Sequence, residues 1–305
     1  MTFANNRLST NVSEYDDVFC VKDDLFEFGP MEAIPSIKYT VVCIVLPTYN
    51  EAKNIRHMLN TIFSTNLRRQ YESEHIVLNV LVVDDNSPDG TAQIVRDYQK
   101  INPQVHLLFR KEKDGLGAAY IAGMQHAMKL LNPDIIFEMD ADHSHDPKHI
   151  VEMVQEIQKG SDLVIGSRYV TGGSIPDDWG LNRKLISQAA NLYVKTLLGI
   201  KQVKDCTGGY RAIRTSKLKE IDFATLKTKG YAFQVSLLEE LRRHDAVMSE
   251  VPIHFKNRTK GTSKMRLADI LEEGKFVFLK SLENTFYPKK NKKVAFRLLL
   301  LQNKN

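Results

Sequence analysis

Four carboxylates stand directly behind short apolar runs. Glu51 closes Pro47-Thr-Tyr-Asn-Glu51, Asp85 lies in Asp84-Asp-Asn-Ser-Pro-Asp-Gly90, and Asp140 and Asp142 form Asp140-Ala-Asp142. Side chains alternate with period two along an extended segment, so Asp140 and Asp142 point the same way. Hard carboxylate oxygens at that spacing suit Mg2+ or Mn2+, and carboxylates so close are costly unless a cation or hydrogen-bond donors compensate them. A cation held there would neutralise the oxygens of a leaving diphosphate. A lone Asp-x-Asp is ordinarily a solvated loop; its place beside two similar clusters, each after a buried strand, argues for a site.

Cations complement these acids. Arg168 ends Gly166-Ser-Arg168, Arg183 and Ser187 are spaced i,i+4 near a helix N-terminus, and Arg258 and Lys264 flank a Gly- and Ser-containing loop. Each alone reads as an ordinary exposed cation. Together with an acidic edge they describe a site for two phosphorylated reactants. Two other patterns carry less. Gly115-Leu-Gly117-Ala-Ala-Tyr120 begins like a dinucleotide fingerprint, but Tyr120 stands at its third glycine position. His143, His145 and His149 lack zinc-hydrolase spacing and read as surface or supporting histidines.

Strands and helices must alternate to gather these residues. Val41–Leu46, Val77–Val83, His106–Phe109, Ile135–Met139 and Leu163–Gly166 read as strands. Between them lie a helix carrying Ile55, Leu59, Ile62 and Phe63 after a Thr48-x-x-Glu51 capping box, and a helix through Ile94, Val95 and Tyr98 after Asp89–Gly90. Helices over Leu116–Leu130 and Pro147–Gln158 follow. This predicts an α/β fold, with a mostly parallel central sheet and helices on both faces, whose strand ends form one ligand edge. Beyond Gly172 helices are expected around Lys184–Leu198 and Phe233–Arg243, and a strand over Val247–Phe255. A helical stripe over Leu267–Thr285 would rest on the sheet or on a membrane surface.

The chain has 305 residues, 43% hydrophobic and 26% charged, enough for a sizeable core and incompatible with general disorder. Cys20, Cys43 and Cys206 are too scattered for a disulfide framework or a cysteine zinc site, so a reducing compartment is expected. No run approaches the roughly 18 apolar residues of a spanning helix, and the first residues lack a secretory signal core, which predicts a soluble chain on the cytosolic side. The net charge of +5 is uneven. Residues 286–305 hold six basic side chains and no acid, whereas residues 1–38 hold seven acids against three basic residues. We therefore divide the chain into an acidic extension (1–38, a docking segment or disorder), a central domain (39–285) and a basic tail (286–305). The balanced centre argues against a nucleic-acid partner, and the tail is a solvated end or a weak membrane anchor.

Leu46-Pro-Thr-Tyr-Asn-Glu51, Val83-Asp-Asp-Asn-Ser-Pro-Asp-Gly-Thr91, Asp140-Ala-Asp142, Gly166-Ser-Arg-Tyr169 and Gly261-x-Ser-Lys264 occur in one order. In these motifs the chain resembles family-2 inverting glycosyltransferases of the GT-A (Rossmann-like) fold, in particular the dolichyl-phosphate mannosyltransferase catalytic subunits, over about Tyr39–Asn284. The resemblance implies transfer of mannose from GDP-mannose to dolichyl or another polyprenyl phosphate. The product would be dolichyl β-D-mannosyl phosphate, a lipid-linked mannose donor for protein glycosylation and GPI anchor synthesis.

The same resemblance implies roles for residues. Pro47, Tyr49, Glu51, Val83 and Asp85 would hold the guanosine, while Asp140, Ala141, Asp142, Arg168, Arg258 and Lys264 handle the diphosphate and sugar. Arg168, Arg183 and Ser187 would take the lipid phosphate, and Asp140, Asp142 and Ser144 the Mg2+ or Mn2+, with Asp140, Asp142 and Arg168 catalytic. It further implies a membrane surface as partner, recruitment by small membrane-anchoring subunits, and a peripheral place on the cytosolic face of the endoplasmic reticulum, or of the cell membrane outside eukaryotes. A UDP-sugar donor and a non-catalytic nucleotide-sugar-binding subunit are the competing readings.

Overall fold

The computed structural model describes residues 38–226, 232–257 and 267–286. The chain begins with β1 (Thr40–Thr48), α1 (Ile55–Ile62), α2 (Thr65–Ser73), β2 (Ile76–Asp84), α3 (Thr91–Gln99), β3 (Val105–Phe109), α4 (Leu116–Leu130) and β4 (Ile135–Glu138). A 3-10 turn at Pro147–His149 leads into α5 (Ile150–Gln158), followed by β5 (Leu163–Ser167), α6 (Leu181–Leu198), β6 (Arg211–Arg214) and α7 (Thr215–Leu218). After a 3-10 turn at Phe223–Thr225 come α8 (Ala232–Arg243), β7 (Met248–Pro252) and α9 (Leu267–Phe286).

Among the described residues the strands form one sheet in the order β3-β2-β1-β4-β6-β5-β7. All neighbours pair parallel except β6, which is antiparallel to β4 and to β5. Both faces of β1 are covered, which is why its apolar run is continuous rather than alternating. Val42, Ile44 and Leu46 pack with Leu59 of α1, Val95 of α3 and Met153 of α5, while Cys43 and Val45 pack with Met124 of α4. Each such fully buried aliphatic side chain is worth about 1.5–3 kcal/mol over an exposed one. The α4 layer comes in close because of Gly123. A Cβ there would lie 2.9 Å from Val83 Cγ2 and nearer still to Val45.

Several expectations are corrected. The Thr48–Glu51 capping box does not form: Thr48 ends β1, its hydroxyl donates to Asp84 Oδ1 at 3.0 Å, and α1 starts only at Ile55 with Asn54 as its N-cap. α2 was not anticipated because only Leu67 and Tyr71 of its nine residues are buried. The strand β6 was missed because a four-residue strand that begins and ends with arginine carries almost no periodic signal. The Leu267–Thr285 stripe is a helix but not a core stripe over its described side chains: Val277 is buried, whereas Phe278 and Leu282 are exposed. Residues 1–37, which make up nearly all of the acidic extension, and 287–305 of the basic tail lie outside the described residues.

The antiparallel β6 has a direct consequence for function. Arg211 is in register with Glu138 of β4 and Ile165 of β5, so β6 begins at the edge where those strands end. The segment Asp205–Tyr210 therefore arrives beside Asp140, Asp142 and Arg168.

Candidate active site

The register places Pro47 opposite Val83 and Thr48 opposite Asp84 at the carboxyl ends of β1 and β2. Asp84 is fully buried and structural: it accepts from the Thr48 hydroxyl at 3.0 Å, the Ser87 hydroxyl at 2.6 Å and the Ser87 amide at 2.9 Å. Asp89 welds the next turn, accepting from the Thr91 hydroxyl at 2.6 Å and the Ala52 amide at 3.0 Å. Burial opposes its charge, but these donors outweigh it and hold its carboxyl below the usual range. Glu51 donates its amide to Thr91 Oγ1 and accepts from Asn54 Nδ2 at 2.7 Å.

Asp85 carries a different environment. Arg110, from the end of β3, meets its carboxylate at 2.7 Å and reaches Asp114 at 3.2 Å. Burial raises the Asp85 pKa above the ordinary carboxylate value, and the Arg110 guanidinium only partly offsets this. Lys113 lies 3.6 Å from the centroid of the Tyr49 ring. The β1, β2 and β3 ends thus bring Tyr49, Glu51, Asp85, Arg110 and Lys113 to one edge, with aromatic, acidic and basic groups suited to a nucleoside. Val83 is fully buried in the core by its side chain, so what it presents at the edge is its backbone.

At the end of β4 the acidic pair is held by local donors. The Ser144 amide donates to Asp142 Oδ1 at 3.0 Å, and the Asp140 amide donates to His145 Nδ1 at 3.0 Å. An accepting Nδ1 puts the ring proton on Nε2, which sits 3.9 Å from Asp140 Oδ2. Burial pushes the His145 pKa below its usual value and keeps the ring neutral. Ala141, between the two acids, is buried with the core.

The fit to a divalent cation follows from this donor set. Among the described residues no three His, Cys, Asp or Glu side chains converge on one point. Two carboxylates on a strand edge, completed by substrate oxygens and water, match the coordination habit of Mg2+ or Mn2+ rather than a closed protein cage. Ser144 is buried beside Asp142, while His143 packs on His57 and His149 faces Glu152 at 3.5 Å. The three histidines serve as packing and supporting groups, with His145 fully inside rather than at the surface.

The cationic side is built on a pair that sequence reasoning missed. Asp205 is fully buried and grips Arg168 with two contacts of 2.7 Å, to Nε and Nη2, and takes the Arg168 amide at 3.0 Å. Arg168 Nη2 also donates to Thr207 Oγ1 at 2.9 Å. A phosphate would therefore meet Arg168 as half of an oriented ion pair. Tyr169 donates its hydroxyl to Ser187 Oγ at 2.7 Å, and Asn191 Nδ2 donates to both the Ser187 carbonyl and Thr207 Oγ1. Arg183 lies 3.8 Å from the centroid of the Trp179 ring. Arg258 and Lys264 lie outside the described residues.

Aromatic rings join the acidic and cationic sides. His145 stacks on Tyr210 at 4.9 Å and meets Phe255 edge-on at 5.8 Å. Phe255 contacts Trp179 at 5.9 Å, and the Arg168 guanidinium lies 5.6 Å from its centroid. Beneath them Arg211, fully buried, donates to the carbonyls of Cys206, Gly208 and Gln234 and pins the Asp205–Tyr210 segment. Its partner is Glu138 at 3.8 Å, whose pKa burial raises to about 7 although the guanidinium pulls it down. The only sequence signal for this segment was Asp205-Cys-Thr-Gly-Gly before an unrecognised strand.

A mostly parallel sheet with an acidic pair at its ligand edge, facing a nucleoside-sized polar cluster on one side and oriented cations on the other, defines a GT-A-type glycosyltransferase domain. Residues 43–222 match Glycosyl transferase family 2, and the chain belongs to that family. Its relatives include a polyprenol monophosphomannose synthase of Mycolicibacterium smegmatis, 37% identical over 230 residues that cover 75% of this chain and 82% of the relative. An undecaprenyl-phosphate mannosyltransferase of Micrococcus luteus is 41% identical over 224 residues, covering 73% and 87%. Among solved structures, a Pyrobaculum calidifontis mannosyltransferase in complex with GDP-Man and Mn2+ aligns at a TM-score of 0.51 and 16% identity, over 87% of this chain and 81% of that one. A likeness of that degree bears on the fold alone.

Proposed function

We propose that this chain transfers mannose from GDP-mannose to a polyprenyl phosphate, dolichyl phosphate in a eukaryote, with inversion at the anomeric carbon. The observation that carries the reading is the continuous path from Asp140 through His145 and Phe255 to Arg168 and Asp205, which sets an acidic edge and an oriented cation in one site. The names of the two bacterial relatives support a mannosyl donor and a polyprenyl-phosphate acceptor.

In this mechanism Tyr49, Glu51 and Asp85 orient the nucleoside, and Asp140 and Asp142 would hold Mg2+ or Mn2+. The cation, when bound, supplies charge neutralisation for the leaving diphosphate. Arg168, Arg183 and Ser187 position the acceptor phosphate. A phosphate monoester has a second pKa of about 6, so its oxygen is anionic near neutral pH and needs no strong general base. Catalysis then rests on placement of the two reactants and on preorganised charge. One displacement converts an α-linked donor into a β-linked mannosyl phosphate. The work would take place at the cytosolic face of the endoplasmic reticulum or of a cell membrane, alone or with small membrane-anchoring subunits.

The test uses the full chain with Mg2+ or Mn2+, labelled GDP-mannose and dolichyl phosphate, and reads label in the lipid phase. Transfer that UDP-glucose does not match and that Asp142→Asn abolishes supports the reading. No transfer, a preference for a UDP-sugar, or an intact rate in Asp142→Asn overturns it.

A further inference from the structure

The sequence holds a single tryptophan, Trp179, which stands in the turn before α6 and is buried. Its ring is fixed at its edges. Nε1 donates to Asn257 Oδ1 at 2.9 Å, and Phe255 meets the indole at 5.9 Å with an interplanar angle of 73°. Asn257 is oriented in turn, because its Nδ2 donates to the Asp178 carboxylate at 2.7 Å and its oxygen is thereby left to face the indole. Backbone bonds tie the two segments together. The Ser174 amide donates to the Ile253 carbonyl, and the Phe255 amide to the Ser174 carbonyl, each at 3.0 Å. Arg183 is exposed, yet its Cζ lies over this ring at 3.8 Å from the centroid. An exposed arginine otherwise spreads over many rotamers, and an indole face is the best aromatic partner for a guanidinium. The same rings reach the other arginine of the site, since Arg168 lies 5.6 Å from the Phe255 centroid. Tyr169, next to Arg168, bonds Ser187, which is one turn along α6 from Arg183.

We propose that Trp179 is a positioning residue for Arg183: the fixed indole face holds the guanidinium where it meets the acceptor phosphate together with Arg168 and Ser187. Trp179 acts through Arg183 rather than on a reacting atom. Phe255 joins the two arginines to one ring cluster, so their placement is set by packing before the acceptor arrives. The identity of that phosphate rests on the function proposed above, whereas the binding of a phosphate at Arg183 can be read without catalysis.

Because Trp179 is the single tryptophan, its emission reports this contact directly. The full chain with GDP and Mg2+ is titrated with geranyl phosphate and, in parallel, with geraniol, which lacks the phosphate. A saturable change in emission is expected with geranyl phosphate and not with geraniol, and it should vanish in Arg183→Gln. Mannosyl transfer to geranyl phosphate is then assayed for Trp179→Leu, Trp179→Phe, Arg183→Gln and the double variant Trp179→Leu/Arg183→Gln, with thermal unfolding to confirm that each is folded. Trp179→Leu should raise the KM for geranyl phosphate about two- to fivefold and leave the KM for GDP-mannose unchanged. Trp179→Phe should recover part of that, and in the Arg183→Gln background Trp179→Leu should add nothing. If Trp179→Leu does not fold, the emission titration and Trp179→Phe still decide the matter. A phosphate-specific emission change that Arg183→Gln abolishes upholds the positioning even where no mannosyl transfer is found, and only the function falls. Emission indifferent to geranyl phosphate overturns the positioning. So does an unchanged acceptor KM in folded Trp179→Leu, or an equal rise in the Arg183→Gln background, since Trp179 then acts independently of Arg183.

Discussion

Asp205 is fully buried, and it decides where the Arg168 charge points. Two 2.7 Å contacts from a fully buried carboxylate fix the plane of the guanidinium. Asp205→Asn keeps the shape and removes the charge, leaving a largely buried cation uncompensated at a cost of about 3 kcal/mol. Urea unfolding should show that loss. Acceptor KM should rise more than donor KM, and Asp205→Glu should recover part of it. A purely structural role would instead lower apparent kcat through the folded fraction and leave both KM values unchanged. Asp85 carries a second prediction at this scale. Its pKa is raised by burial and held back by Arg110, so GDP binding should weaken on acidification at a pH above the ordinary aspartate range. The sign for Arg110→Met follows directly: without the guanidinium the Asp85 pKa climbs further, and the loss of GDP affinity begins at still higher pH. Calorimetric titration with GDP across pH checks this.

At the scale of elements, α4 shows how closely a helix must approach for the site to form. Gly123 sits against Val45 and Val83, so Gly123→Ala should destabilise by about 1–3 kcal/mol through overpacking. Thermal unfolding measures that cost, with donor affinity retained at temperatures where the variant is folded. The strands β1 to β5 and the helices α1, α3, α4 and α5 were legible in the sequence because each carries its own periodicity and its own turn residues, such as Asp89–Gly90 before α3. α2 and β6 were not. α2 has only Leu67 and Tyr71 to bury, and β6 is a four-residue strand whose reason to exist is the gap between β4 and β5. The apparent capping box at Thr48 failed for a related reason. A hydroxyl at the end of β1 found a buried carboxylate across the sheet, a partner that no local pattern contains.

For the whole molecule, the acids and cations are sorted onto one edge of the sheet. Among the described residues no helix is long and apolar enough to cross a membrane. The tail at 286–305 adds six basic side chains, and its residues 287–305 lie outside the described residues. Deleting it should lower vesicle binding more at low salt than at high salt and leave GDP affinity intact. Co-sedimentation at two salt concentrations, with GDP titration of both proteins, reads the two effects separately. The sequence by itself determined the strand–helix alternation, the placement of Glu51, Asp85, Asp140 and Asp142 after strands, and the spacing of Arg183 and Ser187. These are properties of neighbouring residues and of period. Only the tertiary structure decided that β6 runs antiparallel and that Asp205 meets Arg168. It likewise set His145 between Asp140 and Tyr210 and turned the Val83 side chain inward. Those pairings join residues far apart in the chain, and they are chosen by strand register and by the need of buried charges for partners, which no local pattern encodes.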